Sequence, residues 1–189
     1  MSRIPKPIAL LGLFFLIFSL SSAIPVAKET VIYVVRHAEK DTSDPKNNDP
    51  NLNAEGKQRA LDLNEFLKKE KLAAAFSTNY KRTLQTVAPA AQRNGIPVKT
   101  YDPKDPDAVA QLIKQEFQNR KVVIAGHSNT ILGLVKAFGT TPPVDKLEDD
   151  DYDLLFTITI NKDGESSLTI QRFGKPHHST EIPQMESVH

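Results

Sequence analysis

Two short runs, Val31-Ile-Tyr-Val-Val35 and Val122-Val-Ile-Ala125, are apolar at every position. A strand with one solvated face alternates apolar and polar residues, whereas an unbroken apolar run must be covered on both faces, as in the parallel sheets of α/β proteins. Each run gives out close to a histidine: His37 follows Arg36 after the first, and His127 follows Gly126 after the second. The carboxyl ends of parallel strands are where such sheets hold ligands. The two histidines are therefore expected to share one site although 90 positions separate them.

The rest of the chain alternates helical and strand patterns, which predicts an α/β fold in three layers: a mostly parallel central sheet with helices on both faces. Asn53 reads as an N-cap, with Glu55 in the first turn, for a helix running to about Glu70 that buries Ala60, Leu63, Phe66 and Leu67. Leu72 to Phe76 is a short strand. The next helix carries Tyr80, Leu84, Val87, Ala88 and Ala91 on one stripe with Arg82 off it, and Pro89 is expected to bend or interrupt it near Gln85 or Thr86. Ile96 to Tyr101 is a strand candidate. Asp105-Pro106-Asp107 reads as N-cap, first helical proline and acidic first turn of a helix to about Asn119 that buries Val109, Leu112, Ile113 and Phe117. A further helix presents Ile131, Leu134, Val135 and Phe138 and closes at Gly139. After the acidic stretch Glu148 to Asp151, the runs ending at Ile160 and Phe173 flank Asn161-Lys-Asp-Gly164 as a β-hairpin. Residues 175–189 read as a flexible tail in which His177 and His178 are surface residues without a metal-ligand partner set.

The first 23 residues read as a signal peptide and residues 24–174 as one catalytic domain. Arg3 and Lys6 are a basic n-region, Ile8 to Leu20 an apolar core, and Ser21 and Ala23 the small residues before a cleavage point. The apolar stretch is 13 residues long, short of the roughly 20 needed to span a bilayer, so an exported protein, periplasmic or secreted and without stable membrane insertion, is expected. Loss of Arg3 and Lys6 takes the formal charge from +1 to about −1, which argues against a broad nucleic-acid-binding face. The chain has no cysteine, which excludes disulfides, thiol catalysis, cysteine-ligated zinc and a lipidated N-terminal cysteine.

Arg36 at the mouth of a buried strand is a permanent cation where packing gives it no reason to be one, and guanidinium geometry suits phosphate oxygens. Arg82 stands just inside a helix and brings a second. Two histidines and two arginines converging on a pocket suit a phosphoryl group, and hence a small phosphorylated molecule as substrate.

Arg36-His37-Ala38-Glu39 resembles the Arg-His-Gly/Ala-Glu signature of the histidine phosphatase superfamily, with its phosphoglycerate-mutase-like fold. Leu52-Asn-Ala-Glu-Gly56, the element from Ser77 through Arg82 to Gln85-Thr86, and Gly126-His127-Ser128 resemble its later motifs in order. The short spacing of the first motifs and the lack of a long inserted cap resemble the small members, of the SixA phosphohistidine phosphatase and heptose-phosphate phosphatase types. The resemblance implies a phosphatase that needs no metal or cofactor. In it His37 is the nucleophile that forms a phosphohistidine, its other ring nitrogen held by a main-chain carbonyl. Arg36, Arg82 and His127 would surround the transferred phosphoryl oxygens, with Asn48, Ser128 and Asn129 as further neutral donors.

The proton donor to the leaving oxygen is not evident. The phosphoglycerate-mutase pattern places a glutamate after the strand that follows the arginine helix, where this chain has Asp102, Asp105 and Asp107. Asp102 and Asp105 are the candidates, although each also fits a turn or cap role. Glu39 is a third candidate that suits pairing with a cation. A phosphomutase and a non-catalytic phosphate-binding module remain alternatives. The first conflicts with the missing glutamate, and the second does not require a nucleophile between the clamps.

Overall fold

The computed structural model describes residues 29–182; the expected signal peptide lies outside them. Ten elements follow in order: β1 (Thr30–Arg36), α1 (Ala54–Phe66), β2 (Leu72–Ser77), α2 (Lys81–Arg93), β3 (Val98–Thr100), α3 (Pro106–Glu116), β4 (Lys121–Gly126), α4 (Ile131–Ala137), β5 (Leu154–Ile160) and β6 (Ser166–Arg172). The strands form one sheet in the order β3-β2-β4-β1-β5-β6. The first four in that order run parallel, β5 pairs antiparallel with β1, and β6 returns antiparallel to β5 as the second strand of the expected hairpin.

The apolar runs account for the layers. In β1, Ile32 and Val34 face one core, together with Phe76, Ile124, Ile113 of α3, Leu134 of α4 and Phe138 just after it. Tyr33 and Val35 face the other, with Val123, Leu63 and Leu67 and the α2 residues Val87, Ala90 and Ala91. β1 and β4 are hydrogen-bonded neighbours in register from Val31↔Lys121 to Arg36↔Gly126. That register puts His37 and His127 side by side past the same sheet edge.

Several element details differ from the sequence expectation for identifiable reasons. Helix α1 starts under the Asn53 cap, whose side-chain oxygen accepts from the Gly56 amide at 2.8 Å, but it ends at Phe66 rather than about Glu70. There the chain tightens into turns, Lys68 N to Glu65 O and Glu70 N to Leu67 O, that drive Leu67 inward. The buried face of α1 is thereby Gly56, Arg59, Ala60 and Leu63, and Phe66 is 40% exposed with its ring 6.3 Å from Phe173. Leu112 of α3 likewise faces outward, while Val109 and Ile113 are buried. Helix α2 continues past Pro89 to Arg93 without interruption. The single backbone bond that Pro89 cannot make is offset by burial of Val87, Ala90 and Ala91 against α1 and the sheet. Strand β3 is only three residues long, since it lies at the edge of the sheet and begins after Pro97, which has no amide to donate. Asp105 caps α3 as expected, accepting from the Ala108 amide.

The segment after Gly174, expected as a flexible tail, is docked as far as the structure describes it. The amide of His177 donates to Asp153, its carbonyl accepts from the Tyr152 amide, and the Ser179 and Thr180 amides donate to Asp151. Polar partners buried elsewhere in the chain fix this stretch, and no local hydrophobic pattern announces them.

Candidate active site

His37 follows β1 and is 5% exposed. Its amide donates to the Gly126 carbonyl at 2.9 Å, extending the β1–β4 pairing by one bond and fixing the ring's origin. Its Nδ1 lies 2.8 Å from the Ala38 carbonyl. A carbonyl only accepts, so Nδ1 carries the hydrogen and Nε2 keeps its lone pair. The rings of His37 and His127 meet edge to face with centroids 5.4 Å apart.

His127 is held at both nitrogens. Arg82 Nη2 is 3.5 Å from Nδ1, and Thr78 Oγ1 is 2.9 Å from Nε2. A guanidinium only donates, so Nδ1 is the acceptor and Nε2–H donates to Thr78. Thr78 is in turn anchored by Thr83, whose Oγ1 lies 2.8 Å away.

The two arginines come from different elements. Arg36, the last residue of β1, donates through Nη1 to the carbonyls of Glu148 (3.0 Å) and Asp149 (2.8 Å), with its guanidinium 4.1 Å from the Tyr152 ring centroid. Arg82, in the first turn of α2, lies 4.5 Å from the Tyr80 ring centroid and 4.0 Å from Asp49 Oδ1. The Nε of each arginine is buried and has no hydrogen-bond acceptor among the described residues.

The remaining motif residues build the frame. Thr86 Oγ1 accepts from the Ala38 amide at 2.9 Å and donates to the Arg82 carbonyl at 2.7 Å, tying the loop after His37 to the arginine helix. Gln85 accepts from the Leu52 amide and donates to Asn51. Glu39 is buried in a bidentate pair with Arg59, Nε to Oε2 at 3.0 Å and Nη2 to Oε1 at 2.7 Å, and His177 Nδ1 lies 2.9 Å from the same carboxylate. Despite burial, these partners hold the Glu39 carboxyl below its ordinary value.

At Gly56 the helix start presses on the loop after His37 so closely that a Cβ would lie 2.1 Å from the Glu39 carbonyl oxygen. Backbone cannot yield as a side chain does, so Gly56→Ala is expected to destabilise the fold by about 1–3 kcal/mol and to lower activity by displacing His37. Chemical denaturation together with a turnover assay checks both.

Burial is the main reason that the His37 imidazole is pushed down to about 3; the Ala38 carbonyl opposes it, and Arg36, Arg82 and His127 add to it. Burial also leads in His127, pushed down to about 4 with help from Arg82 and Arg36. Both rings are neutral at pH 7. An unfolded histidine titrates near 6.5, so between that pH and about 4 the unfolded chain takes up protons that the folded site refuses. Stability gained from this site is thus complete above about 6.5 and is lost as pH falls. A denaturation midpoint lower at pH 4.5 than at pH 7, with a shallower dependence in a His37→Gln variant, is the expected result.

Arg36, His37, Arg82 and His127 line one cleft of about 380 Å³, together with Ser128, Asn129, Lys40, Lys104, Tyr80 and Asp149. The other expected site residues lie elsewhere. Asn48 is exposed on the loop after His37 and does not line the cleft. Asp102 accepts from the Lys104 amide in a turn and Asp105 caps α3; both are exposed and neither lines the cleft, although Pro103 and Lys104 between them do. Sequence reasoning missed Asp149, the carboxylate that does line the cleft, and also Thr78, Tyr80 and Tyr152. An acidic run beside Tyr152 was the only signal for Asp149, and nothing in the spacing singled it out.

Residues 32–103 match the family model described as histidine phosphatase superfamily (branch 1). No curated protein matches the chain. Among solved structures, the protein histidine phosphatase SixA in complex with tungstate superposes with a TM-score of 0.61 at 16% identity, covering 75% of this chain and 96% of that one. A mycobacterial glucosyl-3-phosphoglycerate phosphatase superposes with a TM-score of 0.61 at 14% identity, covering 76% and 99%. Bacillus stearothermophilus YhfR gives 0.58 at 19% identity, covering 75% and 96%.

Proposed function

We propose that this chain is a phosphatase of the histidine phosphatase superfamily, whose family model matches residues 32–103, and that it acts as a phosphomonoesterase through a covalent phosphohistidine on His37. The observation that carries this reading is the pair of buried arginine Nε groups without protein acceptors, flanking a histidine whose Nε2 lone pair is free. A tetrahedral dianion between them supplies the missing acceptors and the electrophile together.

In the first step His37 Nε2 attacks phosphorus in line. The N–P bond forms, the P–O bond to the alcohol breaks, and the leaving oxygen takes a proton. Nδ1–H stays on the Ala38 carbonyl, which stabilises the positive ring of the phosphoimidazolium. In the second step water attacks phosphorus, the N–P bond returns its electrons to Nε2, and the water proton goes to the base that was the acid. Arg36 and Arg82 neutralise the equatorial oxygens in a loose transition state, where positioning and electrostatics supply most of the rate, and His127 holds the Arg82 guanidinium in place through Nδ1. The arginines supply the charge, so the reaction as proposed needs no metal ion. Release of inorganic phosphate from an aryl phosphate in the presence of a chelator tests the reading, and no release at any pH from 5 to 9 would remove it.

Asp149 is the group we assign to protonate the leaving oxygen, because it is the carboxylate in the cleft lining and its side chain is solvent-exposed, free to turn toward a bound substrate. Asp149→Asn should slow hydrolysis of alkyl phosphates by about 100-fold while slowing aryl phosphates with good leaving groups far less. Equal losses on both substrates would point to a binding role instead.

The substrate class supported by the cleft is a small phosphorylated metabolite or envelope phosphate, drawn by Lys40 and Lys104 beside the arginines. The reading extends to export, supported by the leader pattern of Arg3, Lys6, the apolar residues 8–20 and the small residues Ser21 and Ala23. N-terminal sequencing of protein recovered from outside the cytoplasm should begin at Ile24.

A further inference from the structure

We propose that Asp151 is a positioning residue for Arg36, and that the segment around Ser179 and Thr180 is the part of the chain that locks it in place; this rests on Arg36 being a phosphate ligand. The Arg36 guanidinium takes its orientation from the main-chain carbonyls of Glu148 and Asp149. Those carbonyls lie on an irregular loop before β5, outside any helix or strand. A loop carbonyl can orient a guanidinium only as well as the loop itself is fixed.

Asp151 supplies that fixation. Its side chain is fully buried, and Oδ2 accepts from the Glu148 amide at 2.7 Å, closing the loop on itself. Oδ1 accepts from the amides of Ser179 (3.1 Å) and Thr180 (2.9 Å), and the Thr180 hydroxyl donates to Oδ2. A buried carboxylate is costly unless it is well hydrogen-bonded, and here amides and a hydroxyl take the place of a cation. The neighbouring residues strengthen the same junction: the Tyr152 amide donates to the His177 carbonyl at 3.0 Å, and Asp153, also buried, accepts from Arg172 and from the His177 amide. The order of dependence thus runs from residues 179 and 180 through Asp151 to the Glu148 and Asp149 carbonyls, and from them to Arg36.

Binding of inorganic phosphate, followed by calorimetry, tests the coupling independently of turnover. Asp151→Asn keeps the size of the side chain but turns a donor toward amides that need an acceptor. Its phosphate affinity should fall about tenfold, and its kcat/KM by a similar or larger factor, since small displacements of a positioning group cost about that much or more. Introduced into an Arg36→Ala background, the same change should have no further effect on phosphate affinity, because the group through which it acts is gone. Thr180→Val, which removes one hydroxyl and leaves the amide contacts, should give a loss of about threefold with the same dependence on Arg36. It decides the matter where Asp151→Asn fails to fold. Wild-type affinity in both variants, or losses that multiply with that of Arg36→Ala, would overturn the inference. A wild-type protein that binds phosphate in an Arg36-dependent way yet hydrolyses no phosphomonoester would sink the enzymatic reading and leave this one standing.

Discussion

His37→Ala is expected to lower turnover of phosphomonoesters by about 10⁴-fold or more while leaving the protein folded, because the group that forms the covalent bond is gone and the cleft holds no other imidazole with a free lone pair. His127 cannot substitute for it. Its Nδ1 faces Arg82 and its Nε2–H is committed to Thr78, so neither nitrogen is free to attack phosphorus. Rapid acid-free quenching of wild-type enzyme with labelled substrate should capture a phosphoramidate that is labile in acid and stable in base, and His37→Ala should capture none. Retained turnover in the variant would end the covalent mechanism. The variant has a second signature. His37 is held neutral well below its ordinary value, chiefly by burial, so its removal takes away a proton-uptake penalty that grows as pH falls below about 6.5. His37→Ala should therefore lose less stability than the wild type between pH 7 and 4.5, a result that a merely misfolded variant would not give.

The strands and the residues at their ends were legible because burial on both faces leaves an unambiguous mark: an apolar run with no alternation, broken by charge where the sheet meets solvent. Val31 to Val35 and Val122 to Ala125 carry that mark, and their parallel register delivers Arg36, His37 and His127 to one edge. Arg82 was legible as a cation off the apolar stripe of its helix. The proton donor we propose was not. Asp102 and Asp105 sit where the chain needs a turn and a helix cap, and local geometry uses their oxygens for those purposes. Asp149 reaches the cleft only because the loop before β5 folds over Arg36, a long-range event that leaves no periodicity in the sequence. The docked C-terminal segment was invisible for a related reason. It is polar and short of apolar residues, and what orders it is the unmet hydrogen-bonding capacity of two buried aspartates, Asp151 and Asp153, some 25 residues earlier in the chain. Composition reads such a segment as a tail, since the acceptors that hold it lie far away in sequence.

Arg82→Ala should reduce kcat/KM by about 10²–10³-fold, the usual effect of removing one preorganised charge donor from a developing oxyanion. The geometry makes the loss larger than that of a surface cation. Arg82 is largely buried, stacked on Tyr80, and its Nε has no protein acceptor, so the energy of keeping the guanidinium desolvated is recovered only when an anion arrives. Lysine should restore only a minor part of the activity. It brings a point charge without the planar fork, and it cannot reach a phosphoryl oxygen while also donating to His127 Nδ1. The same substitution should also be visible at His127 without any substrate. Arg82 is, after burial, the strongest influence holding that imidazole down to about 4, so in Arg82→Ala the His127 titration followed by NMR should move upward toward the ordinary value near 6.5. An activity loss with an unmoved His127 titration would mean that the two side chains are not in contact in solution. An upward shift with little loss of activity would mean that Arg82 tunes His127 without touching the phosphoryl group, and charge neutralisation would then fall to Arg36 alone.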